Sequence, residues 1–262
     1  MVIDVRPTSV TTRGLTLRGT AYVPGTDSRH PTAMLFHGFG GQRSEASRAF
    51  VQLARALVTH GIAAVAFDRA GHGESDGDFA DSTVSQDVVD SMDVLEGIAS
   101  LDFVDRDDLH LVGISLGAVV ASVVAAQSDV HVRSLTMWSV AAVFVDEIRG
   151  GHLQGRPTDE LDPDGCFDFR GQRLGPAFFT DARDFDVYGR ASGFAGPVRV
   201  LHGDQDFVPS EYAARYVDIY GRSLDFTLVN GADHCWESVP ARDLVLAETV
   251  AFVRSHTRRP ER

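Results

Sequence analysis

The chain contains no lysine. All 24 basic residues are arginine, against 37 aspartates and glutamates, so 262 residues carry a formal charge of -13. Without a side-chain amine, Schiff-base catalysis is excluded. The acidic balance argues against nucleic acid, whose binding rewards basic patches, and against anionic membrane surfaces. Cysteine is almost as scarce. Cys166 and Cys235 make neither a disulfide framework nor a metal cluster. No apolar run is long enough to span a bilayer. The opening MVIDVRPTSVTT lacks the basic start and apolar core of a secretion signal. The expectation is a cytoplasmic protein that needs neither metal nor cofactor, with a small molecule as partner.

The composition that remains is globular, 44% hydrophobic and 23% charged. The length suits one large α/β domain, or one domain with an insertion. Residues 14–24 alternate apolar and polar between Gly and Pro, as one or two antiparallel strands near an edge. From residue 32 onward, strands alternate with helices. Short apolar runs at 62–68, 108–114, 132–139, 198–203 and 224–231 read as strands. Residues 44–61, 83–100, 117–127, 210–221 and 241–255 read as helices. Near-continuous Val, Ile, Leu and Ala runs predict a mostly parallel sheet covered on both faces. Residues 140–196 break the rhythm and are read as an inserted cap, with 1–139 and 197–262 as the core.

Ligands of parallel α/β sheets collect at the carboxyl ends of the strands. The residues that follow each run are therefore the candidates. HGFGG follows the short apolar run that starts at residue 32, and DRAGHGESDG the one that starts at 62. Ser115 follows LHLVGI, inside G-I-S-L-G; DQD follows VRVLHG; His234 follows FTLVNGAD. Ser115 alone reads equally well as a helix cap. With partners it reads as a nucleophile. A serine hydroxyl needs a base within hydrogen-bond reach. Histidine has the pKa to take that proton and return it. A carboxylate must hold the imidazole in the working tautomer. His37, His72 and His202 sit in tight HG turns, where a ring nitrogen more often fixes a loop. Asp204 and Asp206 both follow the 198–203 strand, and Asp233 reads as a turn former.

The elbow, the order Ser, Asp, His and the loop motifs resemble the α/β-hydrolase fold over nearly the whole chain. That resemblance implies Ser115 as nucleophile and His234 as base. It places the acid at Asp206, because HGDQDFVP carries the later aspartate where the family pattern H-G-x-x-D has its acid. It implies an oxyanion hole from the amides of Leu116 and Phe39. Within the fold, LFHGFGG, FDRAGHGESDG, VDEIRGGHLQG, FVPSEYAARYVDIY and LVNGADHCW are similar to the small bacterial cinnamoyl (feruloyl) esterases. Those enzymes bind the ring hydroxyl of the acyl group with an acidic residue and a glutamine of the cap. The matching positions are Asp146 and Gln154. Ile114 and Leu116 depart from the family, which often has His and Gln or Met there.

The cap also holds Phe144, Phe167, Phe169, Phe178, Phe179, Phe185 and Tyr188, suited to an apolar or aromatic acyl group. The expected activity is ester hydrolysis. A thioesterase or cyclising hydrolase is the second reading, and a binding protein that keeps the fold without turnover is the third. The sequence leaves oligomeric state, a homodimer included, open.

Overall fold

The computed structural model of the protein describes residues 3–25 and 28–258. In chain order the strands are β1 (Ile3–Thr12), β2 (Leu15–Pro24), β3 (His30–Phe36), β4 (Ala63–Phe67), β5 (Val104–Ile114), β6 (Val132–Trp138), β7 (His152–Leu153), β8 (Arg156–Pro157), β9 (Phe167–Phe169), β10 (Gln172–Leu174), β11 (Val198–Gly203) and β12 (Leu224–Val229). The helices are α1 (Ala49–Val58), α2 (Val84–Ala99), α3 (Leu116–Gln127), α4 (Phe144–Arg149), α5 (Pro176–Arg183), α6 (Val187–Ala191), α7 (Ser210–Ala214), α8 (Tyr216–Tyr220) and α9 (Val239–His256).

Eight strands form one sheet in the order β1-β2-β4-β3-β5-β6-β11-β12. The sheet is antiparallel across β1, β2 and β4, and parallel from β4 to β12. Side chains alternate along each strand, and β4 shows the consequence. Ala63, Val65 and Phe67 point into one core with α2 and α3. Ala64 and Ala66 point into the other, with α1 and α9. Burial on both faces is why β4 is apolar at every position.

Helix α2 starts where Thr83 accepts the Gln86 amide, and α9 where Ser238 accepts the Ala241 amide. Trp138, at the end of β6, donates to Thr249 at 2.8 Å and ties α9 to the sheet. The chain is an α/β-hydrolase fold.

Three expectations change in the structure. The first ten described residues form β1, an edge strand that the sequence reading did not isolate. Its side chains are mostly exposed or half-buried, so it lacks the apolar signal of the inner strands. The helix expected over 44–61 begins only at Ala49, because Glu45, Ser47 and Arg48 take positive φ. The helix expected over 210–221 is two short helices joined at Arg215.

Between β6 and β11 the chain leaves the large sheet. This segment carries α4 to α6 and two small hairpins, β7–β8 and β9–β10. Phe144, Phe167, Phe169 and Phe178 join the core on the α2–α3 face. Phe144, Leu153 and Phe178 of this segment line a cavity with Ser115, which follows β5.

Candidate active site

Ser115 occupies the sharp bend between β5 and α3, with φ 58 and ψ -126. A non-glycine residue there costs roughly 1–3 kcal/mol, held by its surroundings. The surroundings are specific. A Cβ on Gly117 would lie 2.2 Å from the Phe36 carbonyl, and one on Gly113 would lie 2.5 Å from the Gly117 carbonyl. Ser115 stands at the helix N-cap position, yet its side chain caps nothing. Its Oγ instead donates to His234 Nε2 at 3.0 Å.

His234 is held from its other nitrogen. Nδ1 donates to Asp206 Oδ1 at 2.8 Å, which puts the proton on Nδ1 and leaves Nε2 as acceptor. Asp206 is fully buried at its side chain, while His234 keeps 12% exposure. Burial alone pushes the Asp206 carboxyl up. The hydrogen bond and charge of His234, the Val208 amide and nearby His202 outweigh it, so the group stays ionised below the usual range. Asp204 is elsewhere, accepting the Gly231 amide at 2.7 Å. Asp233 accepts the Glu237 amide at 2.9 Å and shapes the turn. His202 donates to the Val208 carbonyl at 2.8 Å and closes the acid-bearing loop.

A second set of the same residue types shows what accessibility decides. Ser134 Oγ lies 2.7 Å from His110 Nδ1, and Asp108 lies 3.2 Å from His110 Nε2. All three are sealed in the core, so no substrate reaches that hydroxyl.

The 38–41 loop packs directly against Ser115. A Cβ on Gly38 would touch Ser115 Cβ at 3.4 Å. Among the described residues, the Phe39 amide has no acceptor. The Leu116 amide is the first of α3, where no intrahelical acceptor exists. Two free donors thus flank Ser115. Glu45 Oε2 accepts the Gly38 amide at 2.8 Å, and its Oε1 accepts the Ala46 amide at 2.9 Å.

Two of the HG histidines hold the loop from behind. His37 donates to the Gly38 carbonyl at 2.8 Å and accepts the Arg69 amide at 3.2 Å. His72 accepts the Gly40 amide at 3.3 Å. Burial, then the Arg69 charge, hold His37 well below its ordinary pKa and His72 down at about 3. Both therefore stay neutral. The Phe39 ring packs against Phe79, Phe169 and Phe178, with centroids 4.7–5.1 Å away.

Ser115 lies between two cavities of opposite character. An open cleft of about 630 Å³ is lined by Gln42, Glu45, Gln154, Arg170, Gln172 and His234, among others. An apolar crevice of about 30 Å³ runs under α4, lined by Phe39, Leu116, Val143, Phe144, Leu153 and Phe178. Phe207 and Gln154 border both. The Phe207 ring sits 4.3 Å from the His234 ring and is 55% exposed.

Ser115, Asp206, His234, Phe39 and Leu116 meet at one point, with Gln154 on the cavity walls. Asp146 does not join them. It accepts the Tyr212 hydroxyl at 2.9 Å on the outer side of α4. The neighbouring acid, Glu147, lines the crevice and accepts the Gln154 amide at 3.1 Å. One residue along a helix is a rotation of about 100°, which carries the side chain from one face to another. The sequence reading did not single out Glu45, Glu147, Arg170 or Phe207. Glu45 and Arg170 have a signature only in the backbone, as positive-φ residues.

Residues 27–149 match the family model described as serine aminopeptidase, S33. The structure superposes on that of Est1E from Butyrivibrio proteoclasticus with ferulic acid bound. The TM-score is 0.85 at 25% identity, over 95% of this chain and 98% of that one. The α/β hydrolase GrgF from Penicillium sp. sh18 superposes with TM-score 0.79 at 17% identity, over 97% and 99% of the two chains. That likeness speaks to fold alone. An uncharacterised 31.7 kDa Escherichia coli protein of the traX-finO intergenic region is 32% identical over 107 residues. That match takes in 41% of this chain and 36% of that relative's length. The chain therefore has the α/β-hydrolase fold, and these likenesses support a hydrolase. No helix among the described residues is long and apolar enough to cross a membrane.

Proposed function

We propose that the protein hydrolyses carboxylic esters through an acyl-enzyme on Ser115, with aromatic, hydroxycinnamoyl-like acyl groups preferred. The observation that carries this reading is the unbroken relay from Ser115 through His234 to Asp206, with two free amides beside it. Residues 140–196 act as the cap over this relay, and the substrate is a small molecule.

His234 Nε2 takes the Ser115 proton as Oγ attacks the ester carbonyl. Negative charge builds on the carbonyl oxygen, and the Phe39 and Leu116 amides receive it. Each such donor contributes roughly 3–4 kcal/mol to the transition state. Asp206, ionised and buried, stabilises the imidazolium that forms. His234 then protonates the departing alcohol. Water, deprotonated by the same nitrogen, releases the acid and restores Ser115.

The acyl side of this reading is the crevice under α4, because its walls, Glu147 and Gln154 apart, are mainly aromatic and aliphatic. The alcohol side is the polar cleft. At about 30 Å³ the crevice is smaller than a ring needs; a cavity that admits benzene is on the order of 150 Å³. An aromatic acyl group therefore requires α4 and Leu153 to part from Phe178. The aromatic preference draws support from this lining and from the ferulic acid bound by Est1E, similar to this chain along its length.

The test is hydrolysis of p-nitrophenyl acetate and methyl ferulate by the wild type and Ser115→Ala. Turnover of both, with faster acylation by ferulate and none in the variant, is the expected result. No turnover of either ester overturns the esterase reading. A parallel thioester series separates it from a thioesterase.

A further inference from the structure

Among the described residues, three hairpins turn on two-residue loops with positive φ at both positions. They are Arg13–Gly14 (49° and 80°), Gln154–Gly155 (49° and 76°) and Arg170–Gly171 (53° and 84°). This is the type I′ pattern, which favours Asn, Asp or Gly in the first place. A long side chain there is held against its backbone preference, and such outliers collect where a side chain is needed.

Arg13 has a local reason. Its Nε and Nη2 donate to both oxygens of Asp90, at 2.8 and 2.7 Å. Arg170 has no counterpart to Asp90. Among the described residues no carboxylate lies within ion-pair distance of it, in a chain that has 37 acids. Its guanidinium stands 5.7 Å from the centre of the Phe169 ring, and Nη2 donates to Gln154 Oε1 at 3.2 Å. Two hairpin tips therefore meet through their first loop residues. Both line the cleft that holds Ser115 and His234. Burial, then the charges of Glu45, Glu237 and Asp233, push the thiol of Cys235 up to about 11, with Arg170 opposing them. The cleft's carboxylate, Glu45, is occupied by two backbone amides. Among the described residues, the cleft thus presents one oriented cation that no carboxylate pairs.

We propose that Arg170 makes the protein select esters whose leaving alcohol carries an anionic group, a carboxylate or a phosphate. The planar guanidinium fork fits both anions through paired hydrogen bonds. Gln154 and the Phe169 ring hold the fork in place before substrate arrives, which lowers the entropy lost on binding. This inference rests on the esterase reading, with the acyl group in the crevice and the alcohol in the cleft.

The test compares 3-carboxyphenyl, 3-phosphonophenyl and 3-carbamoylphenyl esters of one acyl group. Enzymes are the wild type, Arg170→Asn and Arg170→Lys. Asparagine suits the turn, so Arg170→Asn is expected to melt no lower than wild type while losing selectivity. The ratio of kcat/KM for anionic over neutral ester should fall about tenfold in Arg170→Asn, the scale of one charge-assisted hydrogen bond. It should fall partway in Arg170→Lys, which keeps the charge without the fork. The two anionic esters tell which anion fits.

A second arm needs no turnover. Ser115→Ala should bind 3-hydroxybenzoate more tightly than 3-hydroxybenzamide by calorimetry, and Arg170→Asn should abolish the difference. Turnover with an unchanged ratio overturns the anion proposal and leaves the esterase reading standing. Arg170-dependent binding without turnover of any ester does the reverse. Equal binding of the two phenols also overturns the anion proposal.

Discussion

Glu45 grips the 38–41 loop: its carboxylate accepts the Gly38 amide at 2.8 Å, one residue before Phe39, the proposed oxyanion donor. The same loop side carries the left-handed backbone of Glu45, Ser47 and Arg48. Removing that acceptor frees Gly38 and lets the Phe39 amide drift from the place where charge develops. Loss of one oxyanion donor costs about 100- to 1,000-fold in kcat. Glu45→Ala should cost part of that, about tenfold or more, with KM little changed. Glu45→Gln keeps one acceptor oxygen and should recover some of the loss. Steady-state kinetics of both variants decide; equal falls in kcat and stability would reduce Glu45 to scaffolding.

The two aspartates after β11 are predicted to behave differently. Asp206→Asn leaves the shape intact but removes the charge that fixes the His234 tautomer. Comparable changes in serine hydrolases lower kcat by about 10⁴. Asp204→Asn keeps an oxygen for the Gly231 amide and should stay within a few-fold of wild type. Near-equal losses in the two variants would contradict the assignment of Asp206.

Widening the crevice should shift acyl preference. Leu153 is buried between α4 and Phe178 at its wall. Leu153→Ala should raise the ratio of kcat/KM for cinnamoyl over acetyl esters. Stability should drop by about 2–5 kcal/mol, as for other buried leucines. A ratio that stays constant or falls removes the crevice as the acyl site.

The neutral histidines behind the loop make stability depend on pH. His72 is held at about 3 in the fold, against about 6.5 in an unfolded chain. Between those values the unfolded state binds more protons. His72 thus contributes fully above about pH 6.5, and that contribution falls as pH drops, by about 1.4 kcal/mol per pH unit. Asp87 opposes it, since burial raises its carboxyl to about 6. Its contribution grows as pH falls through that value. Subtracting a His72→Gln variant isolates the histidine. Urea unfolding between pH 4.5 and 7 should show the gap between wild type and variant closing as pH falls. Parallel curves would contradict the buried neutral ring.

How much of this could be read beforehand depended on burial. Strand β4 and helix α3 are apolar nearly throughout and stood out in the sequence. Strand β1 did not, because an edge strand with half its side chains in water carries Thr, Ser and Asp. Ser115, Asp206 and His234 were legible because each follows a recognisable strand inside a short motif. Asp146 was misplaced because α4 is six residues long and its face cannot be read from so few positions. Arg170 was invisible, since only the backbone shows that its place in the turn is costly.

The central claim is that Ser115 Oγ is the atom that carries the acyl group. Rapid quenching of p-nitrophenyl acetate turnover, followed by mass analysis of the peptides, tests it directly. Acetyl on the peptide that contains Ser115, absent in Ser115→Ala along with hydrolysis, is the predicted result. Label on Cys235, or hydrolysis that survives in Ser115→Ala, would contradict it.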